Sequence, residues 1–176
     1  MKPRAKKCRS CGVKFTPKRS SLEVVCSVPC SIAYVKKQEE KKRRAETRKM
    51  KEELMPHREW LNILQKVFNT YIRKRDQDKG CISCGRAFRG KFDAGHHFSV
   101  GAHPELRFDE DNVHGQCVWC NRDRHGNLIE YAERLPERIG VDRYEALKAR
   151  RGQNNKLTID EIKEKIKEYK TKTKNQ

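Results

Sequence analysis

The sequence predicts an α+β, mostly helical chain built on two small cysteine-stapled units, the second of them a ββα finger. Three observations predict it. Eight cysteines fall in four close pairs, Cys8/Cys11, Cys26/Cys30, Cys81/Cys84 and Cys117/Cys120. Charged residues make up 38% of the 176 residues and the mean hydropathy is −1.04, so large continuous cores are excluded and small ones need staples. Between Arg58 and Arg75, apolar residues recur at three and four, the period of a helix with one buried face.

Residues 1–31 read as a treble-clef-like knuckle. Cys8, Cys11, Cys26 and Cys30, with Phe15-Thr-Pro17 between the pairs, suit one tetrahedral zinc held by four thiolates. The basic start at Met1 lacks the apolar stretch of a secretory signal, so the pairs favour Zn2+ over disulfides. Residues 32–57 are a basic connector, charge-dense from Lys36 to Glu53 with helical propensity and no steady apolar stripe. Pro56 ends it.

Residues 58–140 hold the amphipathic helix and the finger. Leu61, Leu64, Phe68, Tyr71 and Ile72 form the core face, with Trp60 and Val67 on its shoulder. Lys91 to Ala94 predicts a short strand, with His97 to Val100 continuing the hairpin. A finger helix is expected from near Cys117 to Gly126, a natural C-terminal cap. The next helix, Leu128 to Leu135, places Leu128, Ile129, Ala132 and Leu135 on one side. Residues 141–176 supply a short helix at Tyr144 and a last one opened by a Thr158/Glu161 capping box. Its stripe is Ile159, Ile162, Ile166 and Tyr169, and Lys170 onward reads as a frayed basic tail.

The net charge is +18, and residues 1–58 carry 18 Lys and Arg against 6 Asp and Glu. A basic field of this size points to a polyanion, with nucleic acid the default partner of a zinc-rich chain. Lys14, Lys18 and Arg19 are placed to touch phosphates. No apolar run reaches membrane-spanning length, so no membrane partner is expected.

The second tetrad, Cys81, Cys84, Cys117 and Cys120, should hold a second structural Zn2+, since four thiolates leave no open position for substrate. Between its halves lie Asp93-Ala-Gly-His96-His97 and Asn112, and Asn121 follows Cys120 directly. Counted from Asn112, the cysteines fall at +5 and +8 and Asn121 at +9. This order resembles the HNH (His-Me finger) nuclease pattern. Phosphodiester hydrolysis needs a base for water and a cation on the phosphate.

Two assignments fit His96 and His97. Either His96 is the base and His97 a neighbour, or His97 is the base and His96 a metal ligand; on one strand they face opposite sides. Asn112 would tie the loop and orient the base. Asn121 and His125, one helical turn apart, could face one metal. An amide at position 121 favours Mg2+ or Mn2+. Arg122 and Arg124 could contact phosphate nearby. His57 and His103 read as structural, while His114 fits core, support or phosphate roles.

Cys81-Ile-Ser-Cys-Gly85, Asp93-Ala-Gly-His96, Leu106-Arg-Phe-Asp109, Asn112-Val-His114, Gln116-Cys117, Cys120-Asn121 and Gly126-Asn-Leu128 together resemble the NinG (Rap) recombination endonuclease family of lambdoid phages. The likeness extends to the helix from Gln65 through Asn69, Tyr71, Arg73 and Arg75 to Asp76, and to the N-terminal knuckle. It implies a structure-specific DNA endonuclease acting on branched recombination intermediates, Holliday junctions and D-loops, in the cytoplasm of a bacterial host. The Gly95-His96 match favours His96 as base. It also leaves Gly95 where many such fingers carry a metal-binding Asp or His, making Asp93 or His97 the candidate first ligand. Symmetric junction cutting would favour a homodimer.

The rival expectation is a non-catalytic, zinc-dependent nucleic-acid-binding or architectural protein, or a zinc ribbon with incidental histidines between its knuckles. It accounts for the charge and the cysteines but not for Asn112 and Asn121 falling in the nuclease register. A sequence-specific transcription factor fits less well, because no recognition-helix motif is evident.

Overall fold

Ser27 and Pro29 start the first long helix inside the knuckle, earlier than composition alone indicates. The Ser27 hydroxyl accepts from the Cys30 N–H at 3.4 Å, and Pro29 sits in the first turn, where its missing N–H costs nothing. The result is helix α1, Val28–Glu53, unbroken through the expected connector. The computed structural model describes residues 4–153 and 156–175, leaving the first three residues of the basic N-terminal run outside it. It divides into two units, Met1–Met55 and Pro56–Gln176.

In the first unit, strands β1 (Lys6–Lys7) and β2 (Lys14–Phe15) pair antiparallel. Gly12, at φ +79°, lets the knuckle turn so that its N–H meets the Cys8 carbonyl at 2.9 Å. None of the residues of α1 is buried. Its surface is knit by short-range pairs such as Glu40 with Arg43 and Arg44, both at 2.7 Å.

The second unit is built on helix α2, His57–Asp76, which buries Trp60, Leu64, Phe68, Tyr71 and Ile72. Trp60 thus lies inside the core rather than on its shoulder. Helix α5, Ile159–Lys174, lays Ile162, Ile166 and Tyr169 into the same core, and Phe68 meets the Tyr169 ring edge-on at 4.9 Å. The capping box forms, with Glu161 accepting from the Thr158 N–H at 2.7 Å. Helix α5 runs on to Lys174 where a frayed tail is expected. The reason is electrostatic: Lys172 pairs with Glu110 and Glu168, and Lys74 donates to the Thr173 carbonyl.

Strand β3, Phe92–His96, pairs antiparallel with β4, Val113–Cys117, with Asp93 opposite Gln116 and His96 opposite Val113. The hairpin does not continue through His97–Val100; that segment turns away and is tied by Asn112. Helix α3, Leu128–Ile139, buries Tyr131 and Leu135, leaving Leu128 and Ile129 exposed. The expected face is rotated because the Tyr131 hydroxyl reaches the Gly95 and Asn112 carbonyls. Helix α4, Val141–Ala149, contributes Leu147 to a cluster with Ile82, Leu106, Tyr131 and Leu135. The overall character, mostly helical α+β, agrees with the sequence expectation.

The expected finger helix is shorter than its pattern indicates. Strand β4 runs through Cys117, and a single wide π-type turn, Trp119–Asp123, follows. Gly126, at φ +92°, stops it as expected, its N–H shared between the Cys120 and Asn121 carbonyls at 3.0 and 3.1 Å.

Candidate functional site

Each cysteine tetrad gathers its four Sγ atoms within 4.8 Å of one another. Tetrahedral Zn–S bonds of about 2.3 Å set S···S edges of roughly 3.8 Å. Cys11 and Cys26 stand 3.6 Å apart, Cys26 and Cys30 3.6 Å, and Cys84 and Cys117 3.9 Å. Backbone N–H groups point at the sulfurs: Ser10 at Cys8, Cys117 at Cys81 and Cys120 at Cys117, each 3.4 Å. Burial opposes ionisation of Cys8, yet the N–H groups of Cys11, Ser10 and Cys26 outweigh it and lower its pKa to about 6. Donors aimed at a thiolate suit metal binding. Both tetrads could therefore hold zinc.

The second tetrad fastens the segment Cys81–Cys84 to the end of β4 and brings the polar residues between them together. Asn112 is fully buried and spends its amide on the loop: Oδ1 accepts from the Phe98 N–H at 2.8 Å, and Nδ2 donates to the Phe98 and Leu106 carbonyls, both 3.0 Å. This is the loop-tying geometry expected of it. The loop so held presents the Arg107 carbonyl to His96 Nε2 at 3.0 Å. A carbonyl can only accept, so Nε2 carries the proton and Nδ1 holds the free lone pair. Burial lowers the His96 pKa, with the Arg107 carbonyl pulling the other way, so the ring is neutral at pH 7.

His97 is placed differently. It is 9% exposed and packs between the rings of Phe98, Tyr131 and Tyr144. Its Nδ1 meets no partner, and burial, followed by Arg151, lowers its pKa to about 4. This is an aromatic core environment, unlike that of His96, whose ring meets the Arg107 carbonyl.

Asp93 and Asn121 meet, although 28 residues separate them. Asn121 Nδ2 lies 3.2 Å from Asp93 Oδ2, and Arg122 grips the same carboxylate with Nε at 2.7 Å and a terminal nitrogen at 2.9 Å. The Arg122 hydrogen bonds hold Asp93 below its ordinary pKa. His125 does not join them. The turn there is a wide π-type one ending at Asp123, and His125 follows it, exposed, at φ +49°. Gly95 has its own reason to lack a side chain: a Cβ there would strike the Gln116 side chain. Gln116 in turn ties Ser83 to the Gly126 carbonyl, so the finger packs through the space a metal-binding side chain would need.

Sequence reasoning missed one network altogether. Asp76 is fully buried; it takes two hydrogen bonds from Arg75, at 2.8 and 2.7 Å, and one from the Gly115 N–H at 2.9 Å. Arg75 also donates to the Glu110 and Val113 carbonyls and to His114 Nδ1, while His114 Nε2 faces the Asp111 carbonyl. His114 is thus neutral and supports β4. Burial alone would raise the Asp76 pKa; the Arg75 guanidinium and the Gly115 N–H overcome it and hold the carboxyl far below the usual range. The Arg75-Asp76 pair was visible as a motif, but nothing in the chain signalled its burial. His57, read as structural, meets the Leu157 carbonyl at 2.7 Å.

Beside Asp93, Arg73 and Lys74 of α2 and Lys91 before β3 line an open depression. No helix among the described residues is long and apolar enough to cross a membrane.

The family model described as Bacteriophage Lambda NinG protein matches residues 1–176. The chain is 40% identical over 121 residues to protein ninG of Salmonella phage P22, covering 69% of this chain and 59% of that one. Protein ninG of Escherichia phage lambda gives the same figures, and that of Escherichia phage 933W is 39% identical over 110 residues, 62% of this chain and 54% of its own. The matched stretch thus spans little more than half the length of these relatives. No solved structure matches the chain.

Proposed function

Because the chain belongs to the family of the lambda NinG protein, we propose that it is a metal-dependent DNA endonuclease that cuts branched recombination intermediates, Holliday junctions and D-loops among them. One observation carries the reading: the Arg107 carbonyl locks His96 into the tautomer whose free Nδ1 can take a proton, and burial keeps that ring neutral. Attack of water on the phosphorus releases one proton to Nδ1 as the P–O bond forms, and the bond to the leaving oxygen breaks. Asn112 holds the loop that holds the base. Asp93, with the Asn121 amide turned to offer oxygen, forms the hard-donor pair suited to Mg2+ or Mn2+. An ion held there would supply charge relief on phosphate and leaving oxygen.

Alternation along β3 sends His96 and Asp93 to opposite faces of a ribbon that pairs on one edge only. For the base and the ion to serve one phosphate, the nucleic-acid backbone would have to cross that unpaired edge. Arg73, Lys74 and Lys91 lead towards Asp93 along the depression and suit phosphates.

A specific observation favours a second reading, an architectural DNA-binding protein: Arg122 already neutralises Asp93. End-labelled four-way junction and matched linear duplex, incubated in Mg2+ and in Mn2+, separate the two. The nuclease reading expects wild type to cut the junction, and His96→Ala to lose about 10²- to 10⁴-fold in rate with binding intact. Binding without cutting in either ion would give the case to the architectural reading.

A further inference from the structure

Resting on this nucleic-acid reading, we propose that Trp119 is a stacking platform for an unstacked DNA base at the branch, carried on the turn between Cys117 and Cys120. The chain has two tryptophans. Trp60 is 8% exposed and serves the core, whereas Trp119 is 47% exposed. Leaving so large a ring in water forgoes much of the stabilisation its burial would bring. The backbone under it is nonetheless fixed. The Cys120 N–H reaches Cys117 Sγ at 3.4 Å, and the Trp119 carbonyl accepts from the Arg124 N–H at 3.0 Å. A pre-ordered ring loses little entropy on binding.

The surroundings specify what the ring would receive. The Arg124 guanidinium lies over one face of the indole, 4.8 Å from its centroid and within 3.8 Å of Glu130, which leaves the opposite face for a base, while Arg122 occupies the same turn. Leu128 and Ile129, just before Glu130, are 49% and 75% exposed. An aromatic face with cations beside it is the chemistry of base stacking with phosphate contact. Trp119 and Asn121 share the π-type turn Trp119–Asp123. Within a linear duplex each base already stacks on both sides. The platform thus distinguishes opened from closed DNA without reading sequence, which is what branch recognition requires.

Replacing the buried tryptophan (Trp60→Phe) in the full chain leaves Trp119 as the sole indole reporter. Its emission is followed during titration with a single-stranded oligonucleotide, a four-way junction and a blunt duplex; anisotropy of a dye on the DNA follows binding independently. Emission should be quenched by single strand and junction and little changed by duplex. Trp119→Ala should weaken single-strand and junction binding about 5- to 100-fold and spare the duplex. Trp119→Phe, which keeps an aromatic face, should recover most of the loss and so separates stacking from collapse of the knuckle. Rising anisotropy with unchanged emission, or an equal loss for all three DNAs in Trp119→Ala, would overturn the platform and leave the nuclease reading standing. No anisotropy change with any DNA would remove the nucleic-acid reading and the platform with it.

Discussion

Two units with the same ligand chemistry use it in opposite ways. Among the described residues of Met1–Met55, burial is confined to Cys8 and Pro17, and α1 buries nothing. The tetrad there stands in for a core. In Pro56–Gln176, Cys81 and Cys120 are wholly buried, Ile82 between the first pair joins an apolar cluster, and α2 and α5 pack around Phe68. Here the tetrad fastens one edge of a fold that has other support. The lesson is that four thiolates at one spacing say nothing about how much of a fold depends on them; the apolar residues nearby decide that.

The largest expected effect breaks the comparison if it fails. Excess of a strong chelator should remove about 10–16 kcal/mol of metal-coupled folding from the N-terminal knuckle. It should strip amide-exchange protection from Lys6–Phe15 while α2 and α5 stay protected. Protection retained at Lys6–Phe15 without metal would erase the contrast between the units.

A smaller effect belongs to the second unit alone. Asp76→Asn leaves Arg75 buried without its counter-charge and should cost about 3–5 kcal/mol in denaturant unfolding of that unit, with the knuckle untouched. A loss below about 1 kcal/mol would mean the pair is ornamental.

The smallest sharpens the comparison through pH. His97 is kept neutral by burial, its pKa lowered to about 4, against roughly 6.5 when unfolded. The fold therefore prefers the uncharged ring. Its contribution is complete above pH about 6.5 and fades as pH falls towards 4, by at most about 3 kcal/mol. His97→Phe, which fills the same aromatic nest, should flatten stability over that window. An unchanged slope would place the titrating group elsewhere.

Local patterns reported local features faithfully. The capping box at Thr158, the buried face of α2 and the stop at Gly126 each depend on residues within a few positions of one another, so sequence spacing carries them. The errors fall where partners come from afar. Helix α3 is turned by a Tyr131 hydroxyl seeking the Gly95 and Asn112 carbonyls, and α5 is prolonged by Lys172 meeting Glu110. His97 looked like its neighbour because two adjacent histidines differ only in which side of the chain the core lies.

What the sequence by itself determined is the ligand chemistry: eight thiols in four pairs, a basic surface, and Asn112 and Asn121 in register with the second tetrad. Tertiary structure alone decided the surroundings of each group. It gave His96 a carbonyl and a defined tautomer, withdrew His97 into an aromatic nest, set Asp93 beside Asn121, and left His125 exposed. The physical reason is that a side chain's chemistry is a property of its residue. Its proton position, charge and reach are properties of the neighbours that folding brings to it.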